Sequence, residues 1–116
     1  MPARGATVVV DRMSDTAVLN VFGAIDMLTA PVVEECVATV LSTKPRALIF
    51  NLSGVQFFSA AGLELLVSSG RKATATMLIV VVASTRAVRR PIQLAEVDAV
   101  VPVYRTMSEA ITAITA

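Results

Sequence analysis

Two short apolar runs with a helical segment between them constrain the fold most. Residues 47–52 and 77–83 are almost entirely apolar, and runs of this length are typical of strands that are covered on both faces of a parallel sheet. The segment 63–74 between them has helical spacing, and one face is formed by Leu63, Leu66, Val67 and Gly70. The sequence therefore predicts a strand, a helix and a parallel strand joined by a right-handed crossover.

The segments before this unit predict a hairpin and a helix. Residues 7–10 and 17–22 are rich in β-branched residues and are separated by polar residues, a pattern typical of two paired strands. Thr29 and Pro31 suit the start of a helix, and Pro45 suits the region after its end. The apolar residues of this helix recur on one face: Val32, Val33, Cys36, Val37, Val40 and Leu41.

The segments after the unit predict a helix and an edge strand. Ser84 or Thr85 can cap a helix that reaches about residue 95, and Pro91 is expected to kink or divide it because proline lacks the backbone donor. Residues 100–104 predict a strand, in which Pro102 indicates an edge position.

A closing helix completes the predicted order of elements. It begins at the capping box of residues 106–109, where Thr106 and Glu109 have the spacing that satisfies the first backbone donors. The predicted order is β-β-α-β-α-β-α-β-α, an α/β fold with a mixed sheet and helices packed on it. We expect a single domain over residues 1–116, since a chain of this length fits one domain.

Charge and residue types exclude several classes of function. The net charge is +1. The sequence lacks the basic stripe with interleaved aromatic residues that would predict nucleic-acid binding. Histidine, the commonest general base and metal ligand, is absent, and no glycine-rich phosphate loop is present. We therefore predict a protein that is not an enzyme and has neither a metal nor a cofactor.

No apolar run approaches the roughly 20 residues of a membrane helix, and no signal core is recognised, so we expect a cytoplasmic location without membrane insertion.

The apolar composition leaves two explanations open. Fifty-five per cent of the residues are hydrophobic, which is consistent either with a tightly packed core or with an exposed apolar surface for a partner. The single cysteine, Cys36, excludes an internal disulfide and is expected in the core.

The small-residue turn at residues 59–62 is the best candidate for a site. Ser59 is expected to cap the following helix, and Gly62 is expected to let another backbone come close. A helix start with little side-chain cover would favour an anion or a phosphate. Nothing near the turn in sequence is an obvious base, which argues against nucleophilic catalysis there.

Other conspicuous residues have a structural explanation beside a functional one. Gly23 is expected to end a strand at a turn with positive φ or close packing. Asp26 and Thr29 either cap the first helix or contact a ligand. Arg86, Arg89 and Arg90 face either solvent or an anionic partner surface.

Four stretches, which together span nearly all 116 residues, carry a resemblance to a known family: "VFGAIDMLTAP", "LIFNLSGVQFFSAAGLELL", "VVVASTRAVRRPIQLAEVDAVVPVY" and "MSEAI". In content and order they resemble the STAS domain of bacterial anti-sigma factor antagonists. The resemblance implies a STAS fold and binding to an ATP-dependent anti-sigma factor kinase of the GHKL type, which frees a sigma factor. Family members are phosphorylated by that kinase on a serine in an Asp-Ser-Ser-Gly turn, which abolishes binding.

The resemblance also identifies a departure at residues 59–62. The family's acceptor serine corresponds to Ala60, which has no hydroxyl, and the preceding aspartate corresponds to Ser59, the one remaining hydroxyl of the turn. A further family aspartate, at the end of the central strand, corresponds to Asn51. The residues expected to bind the partner are Asp26, Thr29, Asn51, Ser53, Ser59, Ala60, Ala61 and Gly62.

Three functions are open from the sequence. The first is an anti-sigma factor antagonist that binds its partner constitutively because Ala60 cannot be phosphorylated. The second is a STAS scaffold or subunit associated with a signalling assembly or an ABC-type transporter. The third is a small α/β hydrolase or transferase with Ser59 as nucleophile, which the absence of histidine disfavours. A homodimer and a nucleotide phosphate at the helix start near Ala60 are also open.

Overall fold

Five strands and four α-helices form the part of the chain described by the structure, a computed structural model that covers residues 5–115. The strands are β1 (Ala6–Met13), β2 (Thr16–Ile25), β3 (Ala47–Phe58), β4 (Leu78–Val82) and β5 (Val103–Tyr104). The helices are α1 (Ala30–Ser42), α2 (Ala60–Gly70), α3 (Arg86–Leu94) and α4 (Met107–Thr115), with a 3₁₀ turn at Val97–Ala99. The predicted order of strands and helices is confirmed.

The strands form one mixed sheet in the order β1-β2-β3-β4-β5. β1 and β2 are an antiparallel hairpin, and the other three pairings are parallel. The α/β fold class with a mixed sheet is therefore confirmed, and so is the edge position of the last strand. That strand is shorter than predicted, because Val100 is the residue that ends the 3₁₀ turn, and Val101, which is buried in the core, lies in the bend that follows.

Both faces of the central strands are covered, which explains their continuous apolar sequence. Leu48 and Phe50 belong to a core cluster with α1, α2 and α3, whereas Ala47 and Ile49 belong to a second cluster with α4. Alternate residues of a strand point to opposite faces, so a strand between two helical layers needs apolar residues at every position. The prediction for residues 47–52 rested on this pattern.

β3 continues six residues beyond the predicted segment and is irregular. Its register with β2 shifts twice, between Asn20 and Phe22 and between Gly23 and Ala24. Gly23 was predicted to end a strand. Instead it lies at the second of these bulges, and β2 continues to Ile25. Its φ of +98° and the close approach of the Gly5 carbonyl oxygen explain the glycine. The added residues of β3 determine where the next helix begins.

Two helices differ in detail from the prediction. α2 begins at Ala60, directly after the N-cap position expected for Ser59, but it ends at Gly70 rather than at residue 74; its buried residues are Gly62, Leu65, Leu66 and Ser69. α3 is continuous through Pro91, which was expected to kink or divide it. Pro91 removes only the donor for the Ala87 carbonyl, and because Ala87 is exposed, water can bond that oxygen instead.

Candidate functional site

Two segments meet at the carboxyl ends of β2 and β3. The backbone N–H of Ser59 donates to the carbonyl oxygen of Ile25 at 3.0 Å, so the start of α2 is fixed beside the loop that joins β2 to α1. We call residues 59–62 the corner and Met27 with Leu28 the apolar tip. Sites in open α/β sheets are commonly built at this edge.

Asp26 and Thr29 hold the loop that carries the apolar tip. Oδ1 of Asp26 accepts from the backbone N–H groups of Leu28 and Thr29, both at 2.9 Å. The Thr29 hydroxyl accepts from the Asp26 N–H at 2.9 Å and donates to the Ala24 carbonyl at 2.8 Å. Thr29 is the N-cap residue of α1, yet its buried hydroxyl makes no cap bond to that helix. The predicted capping role is therefore wrong for Thr29, whose hydroxyl closes the loop instead.

The apolar tip is the most exposed pair of large apolar side chains at this edge. Met27 is 79% exposed and Leu28 is 83% exposed. Val32, in the first turn of α1, is half exposed although it was expected on the buried face. An apolar surface that is held out by a hydrogen-bonded loop is typical of a partner site. Sequence reasoning missed this pair, although two large apolar residues between Asp26 and Thr29 were a signal.

The corner leaves backbone donors free at the start of α2. Ser59 has an extended backbone, with φ −97° and ψ −178°, and its carbonyl accepts from the N–H groups of Gly62 and Leu63. Within residues 5–115, the N–H groups of Ala60 and Ala61 have no acceptor. The first donors of a helix normally have no intrahelical partner and carry partial positive charge.

The Ser59 hydroxyl does not cap α2, contrary to the prediction. Its oxygen is buried and has no hydrogen-bond partner in the described part of the chain. A buried hydroxyl cannot approach a kinase-bound nucleotide without a change in the corner. The neighbouring Ala60 is exposed, so the accessible side chain of the corner is a methyl group.

Gly62 was expected to let another backbone come close. In the structure it accommodates a side chain instead. A Cβ atom added at Gly62 would lie 2.6 Å from Cε1 and 2.8 Å from Cζ of Phe58. The ring of the last residue of β3 thus packs on the third residue of α2. Glycine at this position lets the strand turn sharply into the helix.

Gly62→Ala is expected to lower the free energy of unfolding by about 1 kcal/mol, although alanine favours helices more than glycine does. The Phe58 ring would have to move within the core to admit the methyl group. Chemical denaturation of the purified variant measures the change. Gly70→Ala in the same helix is the control, because its added carbon would lie no closer than 3.2 Å to Val101. An equal or larger loss for the control would contradict the role of the Phe58 contact.

Asn51 and Ser53 are not brought to the corner. The sequence placed Asn51 at the end of the central strand, but it lies in the interior of β3, eight residues before Ser59. Its side-chain N–H donates to Oδ1 of Asn20 at 2.8 Å, and Asn20 donates to Asp11 at 2.9 Å. Asn51 therefore links three strands. The Ser53 N–H donates to Oδ1 of Asn51, and the Ser53 side chain is exposed.

The arginines of α3 have different environments. Arg86 and Arg90 are exposed, which agrees with the solvent face considered from the sequence. Arg89 is half buried, and its guanidinium donates to the Ala83 carbonyl at 3.1 Å. Arg89 thus fixes the entry of α3, and only two arginines are exposed on that helix.

Neither a metal cluster nor a membrane span is found in the described residues. Between residues 5 and 115, no three histidine, cysteine, aspartate or glutamate side chains converge to hold a metal ion. Within the same residues, every helix is too short or too polar to cross a bilayer.

Comparison with known proteins connects this geometry to a family. The profile of the STAS domain matches residues 7–110. The anti-sigma-F factor antagonist RsfB of Mycobacterium tuberculosis is 34% identical over 108 residues, which are 93% of this chain and 88% of the relative. A crystal structure of an anti-sigma factor antagonist from Mycobacterium paratuberculosis is 36% identical, covers 96% of this chain and 95% of its own, and has a TM-score of 0.92. The phosphorylated form of the Bacillus cell fate determinant SpoIIAA is similar in fold alone, with 18% identity over 93% of this chain and 99% of its own and a TM-score of 0.67.

Proposed function

This chain belongs to the STAS domain family, and from that premise we propose that it is an anti-sigma factor antagonist that releases a sigma factor by binding an anti-sigma factor kinase of the GHKL type. Two relatives above 30% identity are named as anti-sigma factor antagonists, which supports the general function. They are regulatory binding proteins, and the proposal assigns this chain no catalytic residue. We further propose that it acts in the cytoplasm.

The convergence of the apolar tip and the corner is the observation that supports this function best. Both lie at one edge, joined through Ser59 and Ile25. Met27 and Leu28 offer exposed apolar area, while the start of α2 offers backbone donors. Interface hot spots combine buried apolar anchors with satisfied polar groups, and this pair of segments supplies both. Asp26 contributes by holding the tip, and Ala60, Ala61 and Gly62 contribute the bare helix start.

The proposed regulation differs from that of the family because Ala60 has no hydroxyl. Phosphorylation adds nearly two negative charges and disrupts an interface by repulsion and desolvation. Neither Ser59 nor Ala60 takes this role in the proposal, since Ala60 lacks the oxygen and the Ser59 oxygen is buried. In this proposal, binding is constitutive, and control is exerted by the amount of protein or by another protein.

Association with an ABC-type transporter or another signalling assembly is the second candidate. The missing acceptor favours it, because a chain without the family's switch could have lost the kinase partnership altogether. Asn51 and Ser53 allow the two candidate functions to be distinguished, because these residues lie on the sheet away from the corner. An interface with the kinase is proposed to leave these two residues uncovered.

Affinity capture from the producing cells tests the choice of partner. The chain is immobilised through its carboxyl terminus, and bound proteins are identified by mass spectrometry. Recovery of a GHKL-type kinase that then binds the purified chain directly supports the first candidate. Recovery of an ATP-binding cassette protein with direct binding supports the second and contradicts the first.

A further inference from the structure

A groove lies at the amino-terminal ends of β2, β3 and β4, at the opposite end of these strands from the corner. It has a volume of about 470 Å³ and is bounded by the segments that precede three neighbouring strands. Leu41, Pro45 and Met77 form its apolar floor, and Lys44 and Arg46 lie on its rim. The size is within the range of about 300–1,000 Å³ that ligand pockets occupy.

Backbone hydrogen bonds fix the walls of this groove. The Arg46 N–H donates to the Asp15 carbonyl, and the Leu78 N–H donates to the Arg46 carbonyl, both at 2.9 Å. The three segments are therefore held together through Arg46. A site of this kind needs little rearrangement to accept a ligand, which lowers the cost of binding.

Positive charge is concentrated around the groove. Lys44 and Arg46 line the groove, whereas Arg71 and Lys72 do not line it but follow the end of α2. All four are exposed, and within residues 5–115 their side chains have neither a hydrogen-bond nor an ion-pair partner. Of the described residues that line the groove, Asp15 is the acidic one. The ends of α1 and α2 lie near this edge, and their dipoles explain cations just after a helix. Arg46 precedes a strand, however, so the dipoles do not account for it.

We propose that this groove, which we call the basic groove, binds an acidic peptide segment of a partner protein with apolar residues between its carboxylates. The apolar floor would accept the side chains of such a segment, and the cations on the rim would face its carboxylates. Because the basic groove and the corner lie at opposite edges of the sheet, one molecule could hold two partners at the same time.

The lining of the groove favours a peptide over the other anionic macromolecules. Single-stranded nucleic acids are bound by cations together with aromatic side chains on which bases stack, and among residues 5–115 no aromatic side chain lines the groove. Membrane surfaces are recognised by amphipathic or polybasic segments that lie along them, whereas this surface is concave. An acidic segment with leucines matches both the charge and the floor.

Lys44 allows binding to be separated from stability. It follows the end of α1 with a φ of +52°, a left-handed conformation in which glycine is preferred. Lys44→Gly should therefore stabilise the fold, or leave its stability unchanged, while it removes one cation from the rim. A purely structural lysine would give no loss of binding on this substitution.

The test uses a fluorescein-labelled peptide of alternating glutamate and leucine, titrated with the full-length protein at low and high salt. We expect binding that weakens as salt rises, with NMR shifts at the amides of Arg46 and Met77 and none at Ala60. Lys44→Glu with Arg46→Glu should weaken binding by about tenfold or more, and Lys44→Gly by about threefold. Asp15→Asn should strengthen it, because a like charge is removed.

Arg86→Glu with Arg90→Glu is the matched control, since it makes the same change of net charge on α3. Its effect should be less than about twofold. The proposal is overturned by an absence of binding, by equal losses in the two double variants, or by equal affinity for an all-glutamate peptide. Preferential binding to phosphatidylglycerol vesicles or to single-stranded DNA would also overturn it. None of these outcomes bears on the partner of the corner.

Discussion

Replacing Leu28 with aspartate is expected to weaken binding of the anti-sigma factor by about thirtyfold or more. Leu28 is 83% exposed in the free protein, so its burial in a complex would supply an apolar anchor of the kind that costs about 2 kcal/mol or more on removal. The new carboxylate would also have to be desolvated in the interface. Isothermal titration with the captured partner measures the loss of affinity.

The Leu28 variant should keep its fold. The side chain makes little contact with the core, and substitutions at such exposed positions usually change the free energy of unfolding by less than about 0.5 kcal/mol. Leu94→Asp on α3 is the matched control, because Leu94 is 72% exposed and lies outside the proposed interface. An unchanged affinity for Leu28→Asp, or an equal loss for Leu94→Asp, would show that the apolar tip is not the docking surface.

Restoring the first two residues of the family's turn with Ser59→Asp and Ala60→Ser is expected to create a phosphorylation site and to make binding switchable. The new hydroxyl would stand at the exposed first position of α2. After treatment with the proposed partner kinase and ATP, the variant should carry one phosphate and lose most of its affinity through repulsion and desolvation. Mass spectrometry of the intact protein and a binding assay on the same sample measure both effects.

Ser59→Asp with Ala61→Ser is the control for this gain of function. It introduces the same two groups, but the hydroxyl is placed one residue further along the helix, where Ala61 is half buried. This variant should remain unmodified and bound. If the restored variant is also never phosphorylated, then the kinase does not act on this corner, and the proposed explanation of Ala60 fails.

Much of the fold could be predicted because its signals are local and periodic. The apolar runs around Ile49 and Val80 indicated strands buried on both faces, and α1 followed the spacing of Val33, Val37 and Val40. The ends of elements were less predictable. The two bulges that extend β3 to Phe58 depend on pairing with β2, and no pattern within β3 alone encodes that pairing.

The turn from β3 to α2 was predicted in position, but its interactions and the exposure of the apolar tip were not. The spacing of Ser59 ahead of a leucine-rich helix indicated the corner correctly, whereas the direction of its hydroxyl depends on packing around the N-cap. The partner of Gly62 is the Phe58 ring, which only the turn from strand to helix reveals. Exposure of Met27 and Leu28 follows from the Asp26 bonds that close their loop.

The mass of the unmodified protein after incubation with the proposed anti-sigma factor kinase and ATP tests the central claim most directly. With the Ser59→Asp, Ala60→Ser variant as positive control, we expect the wild-type mass to stay unchanged and the complex to persist. Phosphate mapped to Ser59, together with release of the partner, would contradict the account, because it would mean that the corner opens and that the covalent switch has been kept.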